Sequence, residues 1–152
     1  MIFTTLGGNE IPLGLAPYKI KWKAASLSKF QTRIKKFFCD HYSHLEWYEE
    51  VPVPGKDTNR LRWDFLCVFE DKKEEKQKVF IEVDGNQHSI FSKHFHGTME
   101  KFEDQLTRDG LKELFAAKNS KFPIIRFFED DPEVTIKWFE KIYPNILPRK
   151  NS

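Results

Sequence analysis

Gln77-Lys78-Val79-Phe80-Ile81-Glu82-Val83-Asp84-Gly85-Asn86-Gln87-His88 is the stretch from which the rest of the chain can be read. Val79, Ile81 and Val83 alternate with Phe80, Glu82 and Asp84, the period of a strand with two different faces. One face is aliphatic, and the two carboxylates of the other point the same way. Gly85 breaks the strand, and His88 follows one short turn later. A buried strand excludes acids unless they are paired or hold a cation. The stretch therefore reads either as half of a metal site at a strand end or as a solvent-facing edge strand closing in a polar turn.

Upstream, Arg60–Glu70 has the same period. Leu61, Trp63, Phe65, Cys67 and Phe69 alternate with Arg62, Asp64, Leu66 and Val68, and Asp64 is the one acid inside the pattern. The charged run Asp71–Lys78 between the two strands reads as a hairpin loop. Antiparallel pairing across it would bring Asp64 within reach of Glu82 or Asp84. Further upstream, Ser26 or Ser28 is placed to cap a helix running to about Cys39. Leu27, Phe30, Ile34, Phe37 and Phe38 form its apolar stripe, and Lys29, Arg33 and Lys36 fall largely on the other side. Residues 45–53 read as a strand, with Leu45, Trp47 and Val51 as packing candidates.

Residues 1–25 read as an irregular basic arm. The first 18 hold three glycines and two prolines. Lys19-Ile20-Lys21-Trp22-Lys23 then alternates base with hydrophobe, a pattern suited to a phosphate backbone or to a lysine-protected edge strand. Past the opening stretch, Asn86–Thr98 is irregular and contains His88, His94 and His96, whose spacing matches no strong zinc pattern. Met99–Lys118 has helical spacing in Met99, Phe102, Leu106 and Leu114, with Asp109 near the inward stripe. Phe122–Phe128 reads as the last core strand. A final helix starts near Asp130-Asp131-Pro132 and packs through Val134, Ile136, Trp138, Phe139 and Ile142. The core thus covers 26–143, and 144–152 form a polar tail.

The length, 152 residues, suits one domain. A net charge of +2 identifies no partner, but residues 1–43 carry seven bases against Glu10 and Asp40. Two distant cysteines, Cys39 and Cys67, make no disulfide framework. No leader pattern opens the chain, and no stretch approaches the ~20 apolar residues of a membrane span. An intracellular location, cytoplasmic or nuclear, is expected.

Helix, three strands, helix, strand, helix is the predicted order. The polar signals along it are Arg62-x-Asp64-Phe65, Glu82-Val83-Asp84-Gly85-x-x-His88, Arg108-Asp109-x-x-Lys112 and Ile125-Arg126. From about Ser26 to Phe128 this set resembles the PD-(D/E)xK, or restriction-endonuclease-like, superfamily. Within it, the chain is most similar to the branch of very-short-patch repair and small phage and intron homing endonucleases. The resemblance implies an α/β fold with a mixed central sheet of about four strands flanked by helices. It also implies a metal-dependent endonuclease that hydrolyses DNA, of homing or mismatch-repair type. A restriction or junction-resolving nuclease, or a nuclease-like DNA-binding protein without catalysis, is the alternative.

Residue by residue, the resemblance assigns Asp64 and Glu82, with the Val83 carbonyl, to a Mg2+ or Mn2+ ion, and His88 to the activation of water. Asp84 stands where the family lysine usually stands and would either orient His88 or bind metal. Asp109 and Lys112 would support the site, with Lys112 or His88 taking up part of the lysine's role. Gln31 occupies the place where many relatives carry an acid on the first helix, and Trp63 replaces a proline before the first aspartate. Double-stranded DNA is the implied partner, met by Lys19, Lys21, Lys23, Lys29, Arg33 and Lys36. Small nucleases of this kind often work as homodimers, and the apolar helix at 134–142 is compatible with one.

Overall fold

The computed structural model describes residues 1–84, 99–129 and 133–150, with the backbone alone for 99–106. The elements in chain order are β1 (Ile2–Thr4), β2 (Glu10–Pro12), a 3-10 turn (Ala16–Tyr18), α1 (Lys29–Tyr42), β3 (Glu46–Pro52), β4 (Arg62–Glu70), β5 (Lys76–Asp84), α2 (Met99–Asn119), β6 (Ile125–Phe128) and α3 (Ile136–Ile142). The main sheet has the order β3-β4-β5-β6. Its first two pairings are antiparallel, and β5 and β6 run parallel. A parallel neighbour requires a crossover, and α2 supplies it. The described residues are thus mixed α/β, with a four-stranded mixed sheet and three α-helices.

Two apolar layers hold the sheet. On one face, Ile34, Phe37 and Phe38 of α1 and Phe139 of α3 pack on Trp47, Phe65, Ile81 and Phe127. Phe38 is fully buried, with its ring 4.2 Å from Trp47 and 5.6 Å from Phe127. On the other face, Phe115 and Ala116 of α2 and Phe3 of β1 pack on Trp63, Leu66 and Phe80. Aromatic rings of this size bury large areas each, so a few of them can close both layers of a small domain.

The N-terminal arm is ordered where an irregular segment was expected. β1 and β2 form an antiparallel hairpin. Phe3 is 1% exposed, and Asn119 of α2 clamps Thr4 through both its amide atoms, at 2.7 and 2.8 Å. Strands of three residues are too short to show a period, and their stability comes from this docking. At the other end, Ile146 and Leu147 are buried, so these two residues of the expected polar tail belong to the core.

Ser28, not Ser26, caps α1, its Oγ accepting the Gln31 N–H at 3.0 Å. Leu27 therefore precedes the first turn and is 81% exposed, outside the expected stripe. Replacing Ser28 by alanine is expected to cost about 1 kcal/mol in urea unfolding, the usual price of a lost N-cap. Leu114 and Ile142 are also exposed, because α2 and α3 turn other residues inward. On α2 the inward set includes Leu111, Phe115 and Ala116. The β4–β5 loop is tighter than expected. Asp71 Oδ1 accepts from Lys73 and Glu75 N–H groups, and β5 begins at Lys76. The last helix begins at Ile136, capped by Thr135, with Asp130-Asp131-Pro132 outside the described residues.

Candidate functional site

The site lies where β4 and β5 part. β4 extends to Arg62 and β5 to Asp84, but their pairing stops at Phe65↔Ile81. Just past that point, Asp64 Oδ2 accepts the Val83 N–H at 2.7 Å. A carboxylate thus takes the place a ladder carbonyl would have filled and satisfies the Val83 N–H. Glu82, 4% exposed, lies beside it. Burial pushes the Glu82 carboxyl well above its ordinary pKa, and the Asp64 charge and hydrogen bond push it in the same direction.

Lys112 answers this charge. Its Nζ lies 2.5 Å from Glu82 Oε1, and both side chains are nearly enclosed. The same ammonium lies 5.4 Å from the Trp63 ring centroid. Trp63 is fully buried against Phe80, at 4.5 Å, and its indole N–H has no hydrogen-bond partner. An ammonium over an indole face is stabilised electrostatically, which suits a lysine drawn out of water.

Of the sequence-predicted catalytic residues, Asp64, Glu82 and Lys112 come together, with Val83 joining through its N–H. Asp84 is held from β6. Arg126 Nη1 holds its carboxylate at 3.2 Å, and the same guanidinium reaches Glu113 at 2.9 Å. Burial alone would lower the Arg126 pKa, but Glu113 and Asp84 together hold it above its ordinary value. Asp109 is half-buried, one turn before Lys112. His88, His94 and His96 lie outside the described residues. Among the described residues, no group of three or more His, Cys, Asp and Glu side chains is arranged to hold a metal ion.

Glu50 is a neighbour that the sequence pattern did not single out. The pairs Glu49↔Phe65 and Val51↔Trp63 bracket it opposite Asp64, and its φ is +55° inside a strand. A side-chain-bearing residue there is uncommon and is held by its surroundings. Gln31 of α1, 4% exposed, donates to Glu50 Oε1 at 3.1 Å and to Glu49 Oε2 at 3.2 Å. Lys35, also buried, reaches Glu49 Oε1 at 2.9 Å. Burial raises the Glu50 pKa, and the charge of Asp64 adds to it against the Gln31 hydrogen bond. Gln31 thus reaches two β3 carboxylates from α1.

The six predicted DNA-contacting bases are all exposed but do not form one strand-like ribbon. Lys19 makes a single bridge to Tyr48, after which the chain turns at Lys21–Ala24. Ile20 and Trp22 do face inward, Trp22 edge-on to Trp47. Lys29, Arg33 and Lys36 line the outer side of α1, where Lys36 pairs with Asp40 at 3.1 Å. No described helix is long and apolar enough to cross a membrane.

Comparison of the chain with protein-family models, with curated proteins and with solved structures returns no match.

Proposed function

We propose that the chain is a divalent-metal-dependent endonuclease that hydrolyses phosphodiester bonds in DNA, built on a restriction-endonuclease-like core of the homing or mismatch-repair kind. The observation that carries this reading is the meeting of Asp64, Glu82 and Lys112, from β4, β5 and α2, at the opening between two central strands. The donor set fits a hard cation. Two carboxylates and nearby peptide carbonyls are the oxygens Mg2+ prefers. Glu82 is a buried acid whose charge is only partly offset, so it has a standing electrostatic demand for positive charge.

Asp64 and Glu82 would hold Mg2+ or Mn2+. Such an ion supplies Lewis acidity at the phosphate and lowers the pKa of bound water. The residues of the chain have their own tasks. The Lys112 ammonium, fixed between Glu82 and the Trp63 face, is placed to offset charge on a phosphate entering the opening. It takes the role of the lysine that Asp84 displaces. Arg126 keeps Asp84 neutralised beside the site. His88, four residues past Asp84, is the imidazole the resemblance offers for taking a proton from water near neutral pH.

Nicking of supercoiled plasmid tests the reading. The wild-type protein is expected to nick in Mg2+ and not in excess chelator, and Asp64→Ala and Glu82→Ala are each expected to lose the activity. Wild-type DNA binding that weakens with salt but yields no cleavage would replace this reading with that of a DNA-binding protein without catalysis.

A further inference from the structure

An open cavity of about 790 Å³ lies at the far end of β5 from Glu82, bounded by the N-terminal segment, β3 and β5. Lys19, Lys76 and Lys78 line it, with Glu46, Tyr48 and Leu15. Its volume is in the range of pockets that hold small ligands. Alternation along β5 puts Lys76 and Lys78 on the same sheet face as Glu82. The four-residue step from Lys78 to Glu82 spans about 13 Å of strand, so the cavity is separate from the candidate metal site.

The charges in it are unbalanced. None of the three lysines is in an ion pair among the described residues, whereas Lys35 and Lys112 both are. The one acid of the wall, Glu46, accepts the Tyr48 hydroxyl at 3.1 Å. Lys19 and Lys78 rest instead on aromatic rings, each 5.2 Å from a centroid, those of Tyr48 and Phe3. Lys78 is half-buried, and that burial lowers the pKa of its ammonium. Three ammonium groups focused on one concave, partly apolar surface favour an anion with an apolar or aromatic part. Tyr48 and Leu15 offer that part a surface, as aromatic side chains do for nucleobases.

We infer that this cavity binds a phosphorylated ligand, its phosphate on Lys76 and Lys78 and its flat part against Tyr48 and Leu15. A nucleotide has that chemistry, either free or as one unit of a nucleic-acid chain.

Fluorescence anisotropy in excess chelator, where nothing is cut, tests this with a labelled mononucleotide and a labelled oligothymidine. The proteins compared are wild type, Lys76→Gln, and Lys76→Gln/Lys78→Gln. Lys76 is exposed, so its single variant keeps the test valid if the double variant is unstable. Wild type is expected to bind at least one probe, with the double variant weaker by about tenfold at low salt. For the oligomer, the slope of log affinity against log salt is expected to fall by about 0.7 for each lysine removed. Loss with the oligomer alone assigns the cavity to nucleic acid, and loss with both probes assigns it to a nucleotide. Equal affinity in all three proteins, or no wild-type binding of either probe, overturns the inference. Neither result depends on whether the protein cleaves DNA.

Discussion

Lys112→Met is expected to destabilise the metal-free protein by about 2–3 kcal/mol at pH 8 and by much less at pH 5. Methionine keeps an unbranched side chain of similar length, so packing changes little. What is lost is the ammonium 2.5 Å from Glu82. Removing one partner of a buried pair leaves an uncompensated charge, which costs roughly 3–5 kcal/mol when the charge cannot escape. Glu82 can escape by taking up a proton, and this keeps the cost below that range. The pH dependence follows from the direction of its shift. Glu82 already has a folded pKa above the ordinary 4.5, through burial and the neighbouring Asp64, and losing Lys112 raises it further. A carboxyl that binds its proton more tightly in the folded chain stabilises that chain at low pH. The benefit is lost as the pH climbs from the ordinary value through the raised one. Urea unfolding of both proteins at pH 5 and pH 8, in chelator, measures the difference. An equal loss at both values would mean that Lys112 acts through packing and not through charge. On the proposed function, the same variant also loses plasmid nicking.

The parts of this site that could be read from the chain alone are those set by local period. Glu82 stands out because a strand of Val79, Ile81 and Val83 has no ordinary reason to carry an acid. Asp64 stands out in its own strand for the same reason, and a short charged loop between the strands predicts that the two will meet. The register Phe65↔Ile81 confirms that approach. Lys112 was legible only through its spacing from Arg108 and Asp109, because a lysine on a helix is ordinarily a solvent residue. Its inward position depends on the rotation of α2, which Phe115 sets by packing on Phe80 and Trp63.

Glu50 and the fate of Asp84 were not legible, and the reason is tertiary. Alternation puts Asp84 with Glu82, but it cannot show that Arg126, forty-two residues away, will claim it. Glu50 faces the site through a positive φ in mid-strand, which no period can express. The N-terminal hairpin escaped for a related reason. Its strands are too short to have a pattern, and Phe3 reveals its role only once α2 is present to cover it.

Glu82→Gln is expected to act in the opposite direction to Lys112→Met. Glutamine has nearly the shape of a protonated glutamic acid, so below the ordinary glutamate pKa the variant and the wild type should be equally stable in chelator. Above it the wild type bears the cost of an ionised carboxylate that burial and Asp64 both oppose, and the variant does not. The variant is therefore expected to be the more stable protein at pH 8. The gap should open by at most about 1.4 kcal/mol per pH unit, the limit for one proton. On the proposed function, nicking is also expected to disappear, since a neutral amide is a far weaker ligand for a hard cation than the carboxylate. On that reading Glu82 would weaken the fold while serving the reaction, as a stability–activity trade-off requires. Combining the two substitutions separates their terms. With Glu82 already neutral, Lys112→Met should lose most of its pH 8 cost, giving a coupling of at least about 1 kcal/mol in a double-mutant cycle. Additive costs in that cycle would show that the two side chains stabilise the protein independently, and that Lys112 is held by Trp63 and not by the acid.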